Sequence, residues 1–460
     1  MKVIHLPVII ANNSVVLSKY LNRIGVDSKT ISYFRTWLNY EADISIDLDK
    51  LNGDQRQEKL ANFVDDFMKH EAKKYDIFHF HFLGTLASGS SFGGWNAFPE
   101  RGPAWDLEAL KRMGKKIVFY CVGSEIRNNS KIIYNQLKFL LPELDIPAPP
   151  LNRLEQYQKI WLLTKYADAL VCGDSETQPH LPFSKMILHP IDLEPLDSRQ
   201  KDNPGLEKIS LLHAPSNNLY KGTDIIHPVM EKIKSEYTDR VEIRLIQNVA
   251  HDKALELYRG HGPAIDQINM SFGLFALEAM AFGRPVICSV RPGTFSPDDP
   301  KASAPIWSVL TMQELETALR EYIDGRRDYD PESMRTYVRE HHGGEALARQ
   351  WKDLYQSLLD GERQYFYISQ KWYEEFDRVI RGQVVDQAGY YHLASECQMA
   401  QGLYDNFEMS AKALAALNMA GQRERAGQIK AQLDAAVYDS KFRRHYDRAV
   451  NIWQNSGSSI

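Results

Sequence analysis

Residues 266–290 read DQINMSFGLFALEAMAFGRPVICSV, and the reading of the whole chain turns on them. The middle of this stretch, FGLFALEAMAFG, is nearly all apolar and carries one acid, Glu278. Carboxylates are almost never buried without a partner. Glu278 therefore lies on the wet face of a helix or meets something polar inside a cleft. Leu277, Ala279, Met280, Ala281 and Phe282 leave that helix no obvious wet face, which favours the cleft. The alternative is a core helix in which Glu278 finds a local hydrogen bond. Gly273 is expected to start the helix and Gly283 to end it, with PVICSV following as a short buried strand. Backbone N–H groups near Ser271 to Leu274, left over at the helix start, could hold an anion such as phosphate. A carboxylate further along the same helix could grip ribose hydroxyls.

Upstream, the chain alternates strand and helix. KVIHLPVII, DIFHFHF, KIVFYCV and DALVCG read as strands, with helices between them over 54–74 and 151–166. This order predicts a parallel sheet with helices on both faces, whose ligands sit beyond the carboxyl ends of the strands. MILHPIDLEPLD reads as the last strand of a first domain and a linker stiffened by Pro190 and Pro195. ISLLHAP then opens a second unit, and VEIRLIQNVAHDKALELYRG reads as strand, turn and helix. At 460 residues the chain exceeds one ordinary core, so we expect an N-terminal Rossmann-like domain over 1–195 and a second over 196–365. Residues 366–460 are almost free of proline and read as helical hairpins with tetratricopeptide-like placement of small and aromatic residues. Such a short array is expected to pack on the two preceding domains, on a second copy in a dimer, or on a protein partner.

Composition narrows the function classes. The chain is 43% hydrophobic and 25% charged with a net charge of -5, which gives no general case for nucleic acid. Cys121, Cys172, Cys288 and Cys397 are far apart and form no CxxC, so they read as buried thiols in a reducing compartment. No stretch approaches the ~20 apolar residues that span a bilayer. The expected location is cytoplasmic. Lys111, Arg112, Lys115 and Lys116 could touch the inner face of a membrane or be a solvated face. No HExxH or paired Cys/His set appears, no metal ligands are expected, and Asp298-Asp299 reads as a turn between prolines.

EAMAFGRPVI resembles the EAMA-x-G-x-PVI signature of retaining GT-B glycosyltransferases, and LLHAPSNNLYKG, with Lys221 and Gly222, resembles the Lys-Gly element upstream of it in that family. The likeness spans roughly residues 1–360 and is strong only over 209–290. It implies two Rossmann-like domains facing across a cleft, and transfer of a sugar from a nucleotide-sugar donor to a glycan, lipid-linked or protein acceptor. No cofactor is implied beyond the donor itself. Lys221 would neutralise the donor diphosphate together with Phe272, Gly273 and Leu274 at the helix start. Glu278 would fix the ribose, and Asn248 and Val249 would cradle the base. His81, at the end of the DIFHFHF strand, would orient the sugar; its other reading is a satisfied core histidine, which is the one preferred for His79. Glu125 and Arg127 in CVGSEIR resemble the family's G-S-D-x-R turn and either bind a polar acceptor or pair with each other. Arg127 could also assist at the diphosphate. The leaving phosphate would take the acceptor's proton on the same face, so no side-chain base is required.

The chain departs from the family in three places. Asn12, Asn13 and Ser14 stand where a Gly-rich turn is usual, and these residues either serve the site through Asn13 or simply cap the helix. Ser216 and Asn217 fall where a second cation would help Lys221. Met270 replaces a second carboxylate that holds donor-sugar hydroxyls, which implies altered sugar recognition. A nucleotide-sugar epimerase and a scaffold on a degenerate transferase frame are the competing readings.

Overall fold

The computed structural model describes residues 1–362 apart from 36, 89–97, 99–100, 102–103, 124, 128–129, 144–165, 182–183, 201–207 and 269–270. The helical extension expected over 366–460, the helix expected over 151–166 up to position 165, Cys397 and Met270 therefore lie outside the described residues.

The first half builds a parallel sheet from β1 (Lys2–Leu6), β2 (Asp27–Ser32), β3 (Ile44–Ser45), β4 (Ile77–His81), β5 (Lys116–Cys121), β6 (Ala169–Cys172) and β7 (Lys185–Met186), in the order β3-β2-β1-β4-β5-β6-β7. Helices α1 (Asn13–Arg23), α2 (Gly53–Asp66), α3 (Trp105–Arg112) and α4 (Ser130–Leu140) lie in the connections. The second half builds another parallel sheet from β8 (Ile209–His213), β9 (Val241–Leu245), β10 (Ala264–Ile265), β11 (Val286–Cys288) and β12 (Trp307–Ser308), in the order β12-β11-β10-β8-β9. Its helices are α5 (Glu194–Gln200), α6 (Asn218–Lys221), α7 (Thr223–Glu236), α8 (His251–Leu257), α9 (Leu274–Ala281), α10 (Met312–Ile323), α11 (Pro331–His342) and α12 (Gly344–Leu359). The fold is GT-B: two parallel-sheet α/β domains with a cleft between them.

The alternation in IFHFH shows why β4 belongs inside such a sheet. Phe78 and Phe80 enter one core with Phe119 and Leu170. His79, on the other face, meets Trp351 and Tyr355 of α12. Both faces are covered, as parallel strands require. β1 ends at Leu6, short of the full KVIHLPVII run, because Pro7 has no N–H for the ladder. β2, DSKTIS, has too few apolar residues to read as a strand, yet Ser28, Thr30, Ile31 and Ser32 are buried.

Two helices exchange sides. α12 returns from the second half to pack Leu347, Trp351, Leu354 and Leu358 against Leu17 and Leu21 of α1 and Val118 of β5. A Cβ on Gly344 would stand 2.2 Å from the Tyr20 ring, so only glycine permits this approach. In the opposite sense, Phe139 of α4 is fully buried among Leu211, Ile225 and Ile265 of the second core.

Candidate functional site in the interdomain cleft

α9 is apolar on all sides and buried along its length, with Gly273 as its N-cap and Gly283 in a left-handed turn (φ 77°) after its end. Glu278 is 4% exposed. Its Oε1 lies 2.5 Å from Nε2 of His251, the first residue of α8. Glu278 and His251 together border two neighbouring cavities. One, of about 260 Å³, is also lined by Lys221, Ser216, Val249, Leu274, Trp37 and Tyr40. The other, of about 180 Å³, is also lined by Asn12, Asp192, Asp252 and Leu274. The acid thus faces a gap whose walls come from both domains, and its partner is a histidine that the sequence reading did not single out.

Lys221 ends α6 and reaches the larger cavity. Its Nζ bonds Asp266 Oδ1 at 2.6 Å, and the other oxygen of Asp266 accepts the Gly273 amide at 2.7 Å. Asp266 is fully buried at the end of β10. One carboxylate therefore sits on both anion-attracting groups, the ammonium and the first amide of α9. This corrects the expectation that the amides over 271–274 are all left over: the Gly273 N–H is taken. The side chain of Phe272 turns inward, which leaves only its backbone for a donor contact. Its ring is 1% exposed, edge-on to Phe295 and under the Lys301 ammonium.

Ser216 is exposed on the cavity wall, whereas Asn217 spends its side-chain oxygen on the Tyr220 amide as the N-cap of α6. Val249 lines the cavity, and Asn248 beside it turns the chain with a left-handed φ of 55°. At the first domain, Ala11 and Asn12 adopt left-handed φ values of 49° and 54°, so non-glycine residues make the turn that is Gly-rich in the family. The side chain of Asn12 caps nothing, contrary to the capping reading. Asn13 is buried and bonds His189 Nδ1 at 2.8 Å.

Glu125 and Arg127 do not pair with each other. Arg127 forms an ion pair with Glu176, while Glu125 Oε1 accepts the Val122 amide at 2.5 Å. Burial pushes the Glu125 carboxyl up to about 7 against the pull of that amide. Nearby lies a polar seam between the domains. Lys301 Nζ donates to Asp174 at 2.8 Å, and Asp299 accepts from the Ser175 amide and hydroxyl at 2.7 and 2.6 Å. Asp299 also caps the turn over 300–303 through the Lys301 amide. The turn expected at Asp298-Asp299 is present, but its second acid also fastens one domain to the other.

His81 sits at the carboxyl end of β4, 2% exposed, within a cluster of histidines. His5 Nδ1 and His81 Nε2 share a hydrogen bond of 3.0 Å, His5 Nε2 meets Ser28 Oγ, and His79 Nδ1 meets Tyr355 Oη at 2.6 Å. Burial lowers His5 to about 3 and puts His79 and His81 well below the ordinary imidazole range. His5, His79 and His81 bring ring nitrogens within 4.8 Å of one another, a set that could hold a metal ion. The fit is poor. The hydrogen bonds already occupy most of the nitrogens, and the His79 and His81 rings stack at 4.3 Å. Cys121, Cys172 and Cys288 are buried free thiols. No helix among the described residues is long and apolar enough to cross a membrane.

No protein-family model and no curated protein matches the sequence. Solved structures do. The chain is similar to a sucrose-phosphate synthase from Thermosynechococcus elongatus, at TM-score 0.54 and 15% identity, over 79% of this chain and 100% of that one. An alpha-glucosyltransferase in complex with UDP and a 13-mer DNA matches at TM-score 0.49 and 12% identity, over 77% and 99% of the two chains. Anabaena HepE in complex with UDP and glucose matches at TM-score 0.48 and 12% identity, over 77% and 99%. At 15% identity the likeness to the synthase is one of fold, and it agrees with the GT-B architecture.

Proposed function

We propose that this chain is a glycosyltransferase that moves a sugar from a nucleotide-sugar donor to a glycan, lipid-linked or protein acceptor, with retention at the anomeric carbon. One observation carries the reading: Lys221 and Glu278, which come from different elements of the second domain, line a single cavity that the first domain closes. A cation and a hydrogen-bonding acid in one largely apolar pocket suit a diphosphate and a ribose joined to a base. Lys221 has three N–H groups, of which one goes to Asp266, so the ammonium can still donate to a diphosphate oxygen. Glu278, held by His251, accepts from ribose hydroxyls.

In the proposed reaction the acceptor hydroxyl oxygen bonds to the anomeric carbon as the bond from that carbon to the diphosphate oxygen breaks. The electron pair leaves with the nucleoside diphosphate, and the acceptor's proton passes to the departing phosphate. Lys221 and the remaining N-terminal amides of α9 stabilise the charge that develops there. No metal is assigned a step. Asn13, Glu125 and Arg127 stand on the acceptor side in this reading. His81 would orient the sugar from the end of β4, with its Nε2 shared with His5.

Lys221→Ala and Glu278→Ala proteins that remain folded are expected to lose turnover by roughly 100-fold or more with a nucleotide sugar that the wild type uses. Wild-type turnover in both would refute the assignment. Incubation without an acceptor tests the epimerase reading, because only an epimerase converts the free donor into a different sugar nucleotide.

A further inference from the structure

The wall of the larger cavity is shared by a segment of the first domain. After β2 the chain is tied at its base by the Arg35 amide donating to Asp49 at 3.0 Å, and then runs across the cleft as residues 37–40. Leu38 carbonyl accepts the His251 amide at 3.2 Å, at the very start of α8. Tyr40 packs edge-on to the His251 ring, with centroids 5.2 Å apart. Asn39 makes the bend between them with a left-handed φ of 54°. Trp37, Leu38 and Tyr40 all line the cavity that holds Lys221 and Glu278.

Trp37 is 43% exposed, although it borders an apolar pocket. The Leu38–His251 bond fastens the next residue to the start of α8, and Trp37 lines the same cavity as Val249. The second domain offers aliphatic Ile246 and Val249 there, and residues 246–250 include no aromatic ring. The second domain's rings Tyr258 and Phe275 also line this cavity, but they are 5% and 6% exposed and packed edge-on to each other, so Trp37 offers a planar heterocycle the more exposed face.

Resting on the nucleotide-sugar reading above, we propose that residues 37–40 are a strap over the donor pocket, with Trp37 as the stacking wall for the nucleobase. Tyr40 and His251 brace Glu278 toward the ribose. The donor is then gripped by both domains at its nucleoside end, and base recognition by stacking tolerates more than one base.

The full chain is titrated with UDP, ADP, GDP and CDP, and separately with inorganic pyrophosphate, by calorimetry and by tryptophan fluorescence. The nucleoside diphosphate that binds is expected to change the emission of the wild type. Trp37→Phe keeps most of the affinity and loses the emission change. Trp37→Ala binds the nucleotide roughly tenfold or more weakly, with pyrophosphate binding unaltered. Wild-type nucleotide affinity in Trp37→Ala would overturn the strap and leave the donor reading standing. An equal loss for pyrophosphate would overturn it too, because Trp37 would then not be sensing the base. A wild type that binds no nucleoside diphosphate would overturn the donor reading, and the strap with it.

Discussion

At the scale of the residue, the most informative side chain is one that the sequence reading passed over. Nothing in a linear sequence shows that Asp266 reaches both Lys221 and the Gly273 amide. That contact depends on β10, α6 and α9 meeting in space. Its consequences oppose each other. The carboxylate holds Lys221 in place, and it also cancels the charge that would attract a diphosphate. At 2.6 Å and fully buried, the electrostatic cancellation is strong, whereas the ammonium is tethered by its own backbone in α6. We therefore expect Asp266→Asn to bind nucleoside diphosphate several-fold more tightly than wild type. The same protein should lose stability toward the lower end of the roughly 3–5 kcal/mol that follows when one partner of a buried ion pair is removed. Calorimetry and denaturant unfolding measure the two effects separately, and weaker nucleotide binding would show that Asp266 chiefly positions Lys221.

At the scale of the element, α12 covers β1 and β4 and seals His5 and His79 into a dry core. His5 falls to about 3, and His79 and His81 also lie below the ordinary imidazole value of 6.5; burial is the leading cause for each. His189 and His213, at about 4, and His342, at about 3, are depressed in the same way. A lowered folded-state value means that below about pH 6.5 the unfolded chain takes up protons that the folded chain refuses. Stability from these groups is complete above that pH and is lost as the pH falls, at about 1.4 kcal/mol per pH unit for each histidine. Glu125, raised by burial to about 7, and Asp106, raised in the same way, act in the opposite direction, but they are two groups against six histidines. Unfolding free energy should therefore drop steeply between pH 6.5 and 5.5, and His5→Asn should lessen the slope. A flat profile over that interval would contradict the burial of the cluster. The strand carrying His79 and His81 could be read from its alternation. That α12 would cover these histidines could not be read, because hydrophobic period reports a buried face and not its neighbour.

At the scale of the whole molecule, the two domains are joined by more than the chain between them. α4 packs into the second core and α12 into the first, so each domain is completed by a helix from the other half of the sequence. The GT-B architecture was legible because β8, α9 and β11 carry local signatures. The seam was not, because Asp174 and Lys301 are separated by more than a hundred positions and neither stands in a motif. In that seam the Lys301 ammonium is 4% exposed and Asp174 9%. Burial alone would raise Asp174, but Lys301 outweighs it, aided by Arg127 and Thr177, and holds the carboxyl well below its usual range. Lys301→Met keeps the bulk and removes the charge, leaving Asp174 buried with Thr177 as its remaining close donor among the bonds described. The expected cost is about 3–5 kcal/mol, and much of it should return in Asp174→Asn/Lys301→Met, where neither charge is stranded. Denaturant unfolding of the two single variants and the double variant gives the coupling directly. If Lys301→Met unfolds within about 0.5 kcal/mol of wild type, the scale of an ordinary surface substitution, the seam does not hold the domains together. The facing of Lys221 and Glu278 toward the first domain would then have to rest on the two exchanged helices and on the contacts of Leu38 and Tyr40 with His251.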